Sequence, residues 1–191
     1  MDLTMEDPVR ILLVSGSLRA GSTNTALLQT AHAVAPAGVV TTIYEELNSL
    51  PHFNPDDDVE GQPLPEAAAD LRAQLDAVDA ILFSTPEYAG ALPGSFKNFL
   101  DWTVGGGTYE KPVAWVNASS SPTGAASAHE SLRTVLRYTG TDIVESACAR
   151  IPVPRGTIGL DGLVADAAVR EQIGAVLAAL AGHVEGRRRT A

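Results

Sequence analysis

The sequence predicts an α/β fold, a three-layer sandwich with a five-stranded parallel sheet between two layers of helices. Three observations lead there. Short apolar runs alternate along the chain with longer segments of helical period, the pattern left by strands joined through crossover helices. The first of these runs is apolar at nearly every position instead of every second one, as a strand buried on both faces requires. The 191 residues, at roughly 150 per domain, show neither an internal repeat nor a linker-like stretch. One domain over residues 1–191 is expected, with its core from about residue 9 to residue 184.

Val9 to Ser15 is the first strand. Thr23 to Val34 follows as a helix able to turn Ala26, Leu27 and Ala31 inward, and Val39 to Tyr44 is the second strand. Asn48 to Pro63 reads as a loop, because it carries three prolines and three consecutive aspartates. Leu64, Ala68, Leu71, Leu75 and Val78 recur at steps of four, three, four and three, the apolar stripe of an amphipathic helix. Ala80 to Ser84 is the third strand, Ser95 to Trp102 a short helix, and Pro112 to Asn117 the fourth strand. After the small-residue stretch Ala118 to Ala128, a helix is marked by Leu132, Val135 and Leu136, and Ile143 to Ile151 holds the last strand. Val169, Ile173, Val176, Leu177 and Leu180 form the inner face of a terminal helix. Arg187 to Arg189, beyond Gly186, are expected as a solvated tail. In such sheets ligands bind beyond the carboxyl ends of the strands, where strand order reverses. That rule singles out the loops after strands one, three and four.

With 13 Lys and Arg against 23 Asp and Glu, the net charge is −10. This disfavours a nucleic-acid partner but leaves room for one phosphate in a local pocket. Apolar residues at 45% supply a core, and aromatic residues at 5% mean that Ala, Val and Leu must build most of it. A lone Cys148 permits no intramolecular disulfide, which suits a reducing compartment, and its small apolar neighbours suit a buried filler. Met1 to Arg10 lacks the segments of a signal peptide, and no apolar run approaches the roughly 20 residues of a membrane span. A cytoplasmic protein is expected. His32, His52, His129 and His183 show no paired metal spacing, and His129 is expected to face solvent. Asp56, Asp58, Glu60 and Gly61 match four positions of a calcium loop, but Ala67 stands where the bidentate Glu belongs, and Pro63 and Pro65 interrupt it. No metal site is expected. Ser119, Asp161 and His129 do not make a hydrolase triad, since Ser119 lacks the Gly-x-Ser-x-Gly elbow.

Ser15-Gly16-Ser17-Leu18-Arg19-Ala20-Gly21-Ser22-Thr23-Asn24 runs from a buried strand into a helix. Ser17, Ser22, Thr23 and Asn24 supply neutral donors, and Arg19 a planar charged fork suited to a phosphate. The start of the following helix favours an anion. Together they describe a monophosphate cradle. A plain helix cap by Ser22 or Thr23, with Arg19 on the surface, leaves the grouping of Ser17, Arg19, Ser22 and Asn24 unexplained. The loop matches neither the triphosphate-binding nor the dinucleotide-binding glycine pattern.

Gly16, Ser17, Arg19, Ser22 and Asn24 spell G-S-x-R-x-x-S-x-N. Pro86-Glu87-Tyr88-Ala89, Pro93-Gly94, Lys97-Asn98 and Asp101-Trp102 follow P-E-Y-N-x-x-x-P-G-x-x-K-N-x-x-D-W, with Ala89 in place of Asn. In both motifs and their spacing the sequence resembles the NAD(P)H-dependent FMN reductases of flavodoxin-like fold, over Val9 to about Val184. The resemblance implies the strand order 2-1-3-4-5. It also implies an FMN whose phosphate is held by Ser17, Arg19, Ser22, Thr23 and Asn24, and whose ring lies against Pro86, Glu87, Tyr88, Ala89 and Gly90. Backbone groups make much of the ring contact in the family, so Ala89 is compatible with binding. Ser119, at the start of the loop to Gly124, would flank the ribityl or pyrimidine side. NADPH or NADH would be the reductant, and flavins, quinones or similar small molecules the acceptors. The cofactor would carry the hydride chemistry without a catalytic side chain. Assembly as a homodimer or homotetramer is expected by analogy with fold relatives.

Within that reading Tyr88 has three roles open to it: packing beside the flavin, contacting the nicotinamide, or anchoring its loop through the hydroxyl. Glu87 is open to a neighbouring subunit or to a backbone group. Lys97 and Asp101, four apart on a helix, read as a surface ion pair, and Trp102 as an anchor for that helix. Two rivals stand beside the reductase. One is a non-enzymatic flavodoxin-like electron carrier, against which Arg19 and the second motif count. The other is a monophosphate-binding domain without flavin.

Overall fold

In the computed structural model, which describes residues 7–190, β1 (Val9–Ser15), β2 (Val39–Tyr44), β3 (Ala80–Ser84), β4 (Pro112–Asn117) and β5 (Asp142–Ile143) form a parallel sheet. Their order is β2-β1-β3-β4-β5, the flavodoxin-like order implied by the resemblance. Residues 1–6, where the stretch read for targeting signals begins, and Ala191 lie outside the described residues. β1 is register-matched on both sides, with Ile11 opposite Thr41 of β2 and Ala80 of β3. Parallel pairing demands crossovers, and these are the helices α1 (Thr23–Ala33), α2 (Glu66–Asp76), α3 (Gly94–Trp102) and α4 (Ala126–Tyr138), while α5 (Ala167–Thr190) follows the last strand and packs back against the sheet.

The pleat of each strand sends alternate side chains to opposite layers. Ile11 and Leu13 pack with Leu27 and Leu28 of α1 and with Ile173, Leu177 and Leu180 of α5. Leu12 and Val14 pack with Leu71 and Leu75 of α2, Phe96 and Phe99 of α3, and Leu132 and Leu136 of α4. Each fully buried Leu, Ile or Phe contributes about 1.5–3 kcal/mol of burial energy. The two layers differ in composition. Ala, Val, Ile and Leu make up the buried α1/α5 side, whereas Tyr44, Phe83, Phe96, Phe99 and Trp102 all collect on the other, joined by edge-on contacts such as Tyr44 on Phe99 at 5.3 Å. The expectation that Ala, Val and Leu build most of the core holds for both layers, with the buried aromatic residues confined to one.

The loop after β2 is tied to the helices. Trp102 donates from Nε1 to the Pro51 carbonyl at 2.8 Å, and Asn98 both donates to that carbonyl and accepts from Phe53 N–H. Arg72 of α2 grips both oxygens of Asp58 and donates to the carbonyls of Trp102 and Val104. Lys97 and Asp101 form the expected ion pair.

Two expectations are corrected. The last strand is not continuous over Ile143 to Ile151: β5 is followed by a 3-10 turn at Glu145–Ala147 and then by β6 (Ala149–Arg150), which pairs with Val116 and Asn117 of β4. The turn breaks the ladder while Val144 and Ala147 stay buried. Arg187 and Arg188 are exposed, as expected, but they belong to a helix and not to a tail. α5 continues through Gly186, because Arg187 bonds Asp142 and the Glu110 carbonyl, and Arg188 bonds Asp79 and the Asp7 carbonyl. Among the described residues no helix is long and apolar enough to cross a membrane.

Candidate active site

The loops after β1, β3 and β4 meet at one cavity of about 310 Å³, within the size range of small-ligand sites. Its walls are Thr23 and Asn24 from the first loop, Thr85, Pro86 and Glu87 from the second, and Ser119, Ser121, Thr123 and Ala125 from the third. The position follows from topology. The chain leaves β1 for β2 on one side and returns to β3 on the other, so the loops after β1 and β3 separate and leave a crevice at the carboxyl ends.

The first loop is shaped by close packing and by local caps. Gly16 donates its N–H to the Ser84 carbonyl at 2.8 Å. A Cβ there would lie 2.4 Å from Thr85 Oγ1 and 2.9 Å from the Phe96 ring, so only glycine fits. Ser15 Oγ bonds Thr25 Oγ1 and accepts from Ser17 N–H, and Ser17 Oγ accepts from Arg19 N–H. Ser22 is the N-cap of α1, accepting from Thr25 N–H. The cap reading and the cradle reading thus coexist, since the first turn still leaves amides without intrahelical partners. Asn24 is buried, and its Oδ1 accepts from Ser84 Oγ at 2.9 Å, so the group it can offer a ligand is its Nδ2.

The second loop makes a hairpin at Tyr88 to Ala91, whose backbones exchange hydrogen bonds of 3.0 and 3.1 Å. Ala89 at φ 51° and Gly90 at φ 73° both occupy the left-handed region, as a turn of type I′ demands. That geometry gives the family's usual Asn at position 89 a backbone reason, because Asn tolerates positive φ better than other non-glycine residues. Tyr88 is half-exposed. Glu87 turns inward: its Oε2 accepts from Ala128 N–H at 3.1 Å. The N-cap residue of α4, Ala125, has no side chain to do this and sits at φ 52°, so Glu87 caps α4 from a different loop. Of the two partners expected for Glu87, the backbone group is present.

His129 is corrected from solvent-facing to buried. Its Nδ1 lies 2.8 Å from the Ala125 carbonyl, and the buried Nε2 has no partner among the described residues. Burial lowers its pKa, against the opposing pull of the Ala125 carbonyl and the Glu87 charge. Cys148 is half-buried, as a filler would be, and burial pushes its thiol up to about 11. Among the described residues no cluster of His, Cys, Asp or Glu is placed to hold a metal ion.

Of the residues expected to bind a ligand, Thr23, Asn24, Pro86, Glu87 and Ser119 line the cavity. Ser17, Arg19 and Ser22 belong to the loop leading into it, and Tyr88, Ala89 and Gly90 to the hairpin beyond Glu87; none of these six lines its wall. Thr85, Ser121, Thr123 and Ala125 line it without having been singled out. Ser121 and Thr123 stand in the small-residue stretch after β4, the only signal for them. Thr23 and Ala125 place the amino ends of α1 and α4 at the same cavity, and two such ends favour an anion. The Glu87 carboxylate already engages one of them.

The sequence profile described as NADPH-dependent FMN reductase matches residues 9–152. An NAD(P)H-dependent FMN reductase of Pseudomonas aeruginosa is 33% identical over 179 residues, covering 92% of this chain and 95% of its own length. A quinone reductase of Pseudomonas putida is 31% identical over 154 residues, covering 78% and 77% respectively. Among solved structures, the flavoenzyme NAD(P)H:(acceptor) oxidoreductase of Paracoccus denitrificans superposes with a TM-score of 0.80 at 27% identity, over 93% of this chain and 98% of that one.

Proposed function

The chain belongs to the NADPH-dependent FMN reductase family, and from that premise we propose how its cavity is used. The protein is an FMN-dependent NAD(P)H oxidoreductase. When bound, FMN would supply the redox chemistry between the nicotinamide and an acceptor. The chain's own residues hold and orient it. Ser17, Arg19, Ser22, Thr23 and Asn24 receive the phosphate, Pro86, Glu87, Tyr88, Ala89 and Gly90 lie along the ring, and Ser119 flanks the ribityl or pyrimidine side.

The observation that carries this reading is the convergence of three loops and two helix amino ends on one cavity whose polar lining, Glu87 apart, is neutral hydroxyl and amide. The residues present fit an FMN. Gly16 lets the first loop lie against Thr85 with no room for a Cβ, and among the described residues the Arg19 side chain is exposed and makes no ion pair. The Glu87 charge, which would oppose a phosphate, faces the amino end of α4 instead.

Flavins and quinones are the proposed acceptors, supported by the names of the Pseudomonas relatives. We place the protein in the cytoplasm as a single domain that assembles into a homodimer or homotetramer, with no nucleic-acid partner. Its single cysteine, which can form no intramolecular disulfide, supports the compartment, and its net charge of −10 the last exclusion. The decisive experiment is an absorbance spectrum of the purified protein, followed by anaerobic addition of NADPH. A yellow protein that bleaches rapidly is expected. A yellow protein that does not bleach would be a flavodoxin-like carrier, and a colourless one unable to take up FMN would overturn the reading altogether.

A further inference from the structure

We infer that Arg150 is a positioning residue for the cavity wall after β4, an inference that rests on the reading of the cavity as the FMN site. That wall supplies four of the nine lining residues, Ser119, Ser121, Thr123 and Ala125. Its hydroxyls bond one another in a row, Ser119 Oγ to Ser121 Oγ at 3.0 Å and Ser121 Oγ to Thr123 Oγ1 at 3.2 Å. A row of this kind keeps its shape only if the backbone beneath it is held.

Two side chains from the sheet hold it. Asn117, at the end of β4, accepts from Ser119 N–H at 3.0 Å and donates from Nδ2 to the Gly124 carbonyl. Arg150 of β6 is the register partner of Asn117, and it donates from Nη2 to the Ser121 carbonyl at 2.8 Å. Its guanidinium rests on Gly124, where a Cβ would stand 3.0 Å from Cζ and 3.1 Å from Nε. Glycine at φ +60° thus serves twice, for the turn and for the seat of the fork. Among the described residues Arg150 makes no ion pair, and its side-chain hydrogen bond goes to this loop. Charge-assisted bonds to a carbonyl are stronger than neutral ones. The broken last strand is what brings Arg150 there: with a continuous β5 the register at Asn117 would be different.

The test measures FMN release from the holoprotein, read as recovery of free-flavin fluorescence on dilution. Arg150→Met keeps the aliphatic stem and loses the donors; its FMN Kd should rise about tenfold. The thermal midpoint of the flavin-free protein should stay at the wild-type value. Arg150→Lys should recover most of the affinity, since an ammonium can still reach the Ser121 carbonyl. Wild-type retention of FMN by Arg150→Met would overturn the assignment. So would equal losses in the Met and Lys variants, or a midpoint that falls in step with the affinity. A wild-type protein that retains no FMN would overturn the site reading, and this inference with it.

Discussion

Ser84, the last residue of β3, donates from Oγ to Asn24 Oδ1 at 2.9 Å, with both side chains buried where the sheet order reverses. The bond ties the start of α1 to the strand that leads into the second loop, so two walls of the cavity share one anchor. Ser84→Ala leaves Asn24 Oδ1 buried without its donor, a loss of about 1–3 kcal/mol. A urea midpoint below wild type, together with weaker FMN retention, is the expected result.

Arg19 carries the only full positive charge of the first loop. A charge-assisted phosphate contact is worth roughly 1.5–3 kcal/mol, so Arg19→Ala should weaken FMN binding by roughly ten- to a hundred-fold. Its exposure makes a large effect on folding unexpected. Flavin titration and a melting curve on the same variant separate the two, and unchanged affinity would remove Arg19 from the phosphate site.

Ala89 holds φ 51° in the hairpin of the second loop, a conformation that costs an L-residue roughly 1–2 kcal/mol. Ala89→Asn should recover part of that, about 0.5–1 kcal/mol, while leaving the backbone hydrogen bonds between Tyr88 and Ala91 in place. The urea midpoint should rise and the visible flavin spectrum should keep its shape.

The pH dependence of stability has a sign set by His129. Its folded-state pKa lies below the ordinary value of about 6.5, chiefly through burial. The unfolded chain therefore binds the proton more readily, and stability rises with pH through that window. Stability is intact above about pH 6.5 and is lost as pH falls from there through the folded-state pKa. Urea midpoints between pH 8 and pH 5 should fall less steeply for His129→Leu than for wild type; identical slopes would remove His129 as a source of the effect.

Much of the architecture is legible because burial on two faces leaves a mark on every residue of a strand. Ala80 to Ser84 is buried throughout, and its run of small and apolar residues gives it away. The last strand is harder to read because Val144, Ala147 and Ile151 are buried at steps of three and four, a helical spacing that misdescribes two short strands joined by a turn. The end of α5 was hidden for another reason: Gly186 reads locally as a stop, while the partners of Arg187 and Arg188 lie 45 or more residues away at Asp142, Glu110, Asp79 and Asp7. Within the site, the two motifs mark the first and second loops. They say nothing of Glu87 reaching Ala128 across 41 positions, nor of Arg150 reaching Ser121 across 29. His129 offered a faint signal, lying beside the buried stripe of Ala128, Leu132 and Leu136.

The contact of Arg188 with the Asp7 carbonyl brings positions 7 and 188 together at the amino ends of the strands, while the cavity opens at their carboxyl ends. Anything attached beside that contact is separated from the cavity by the full length of the strands. A tether placed there would fix the molecule to a bead or an electrode with its mouth turned outward, open to both reductant and acceptor.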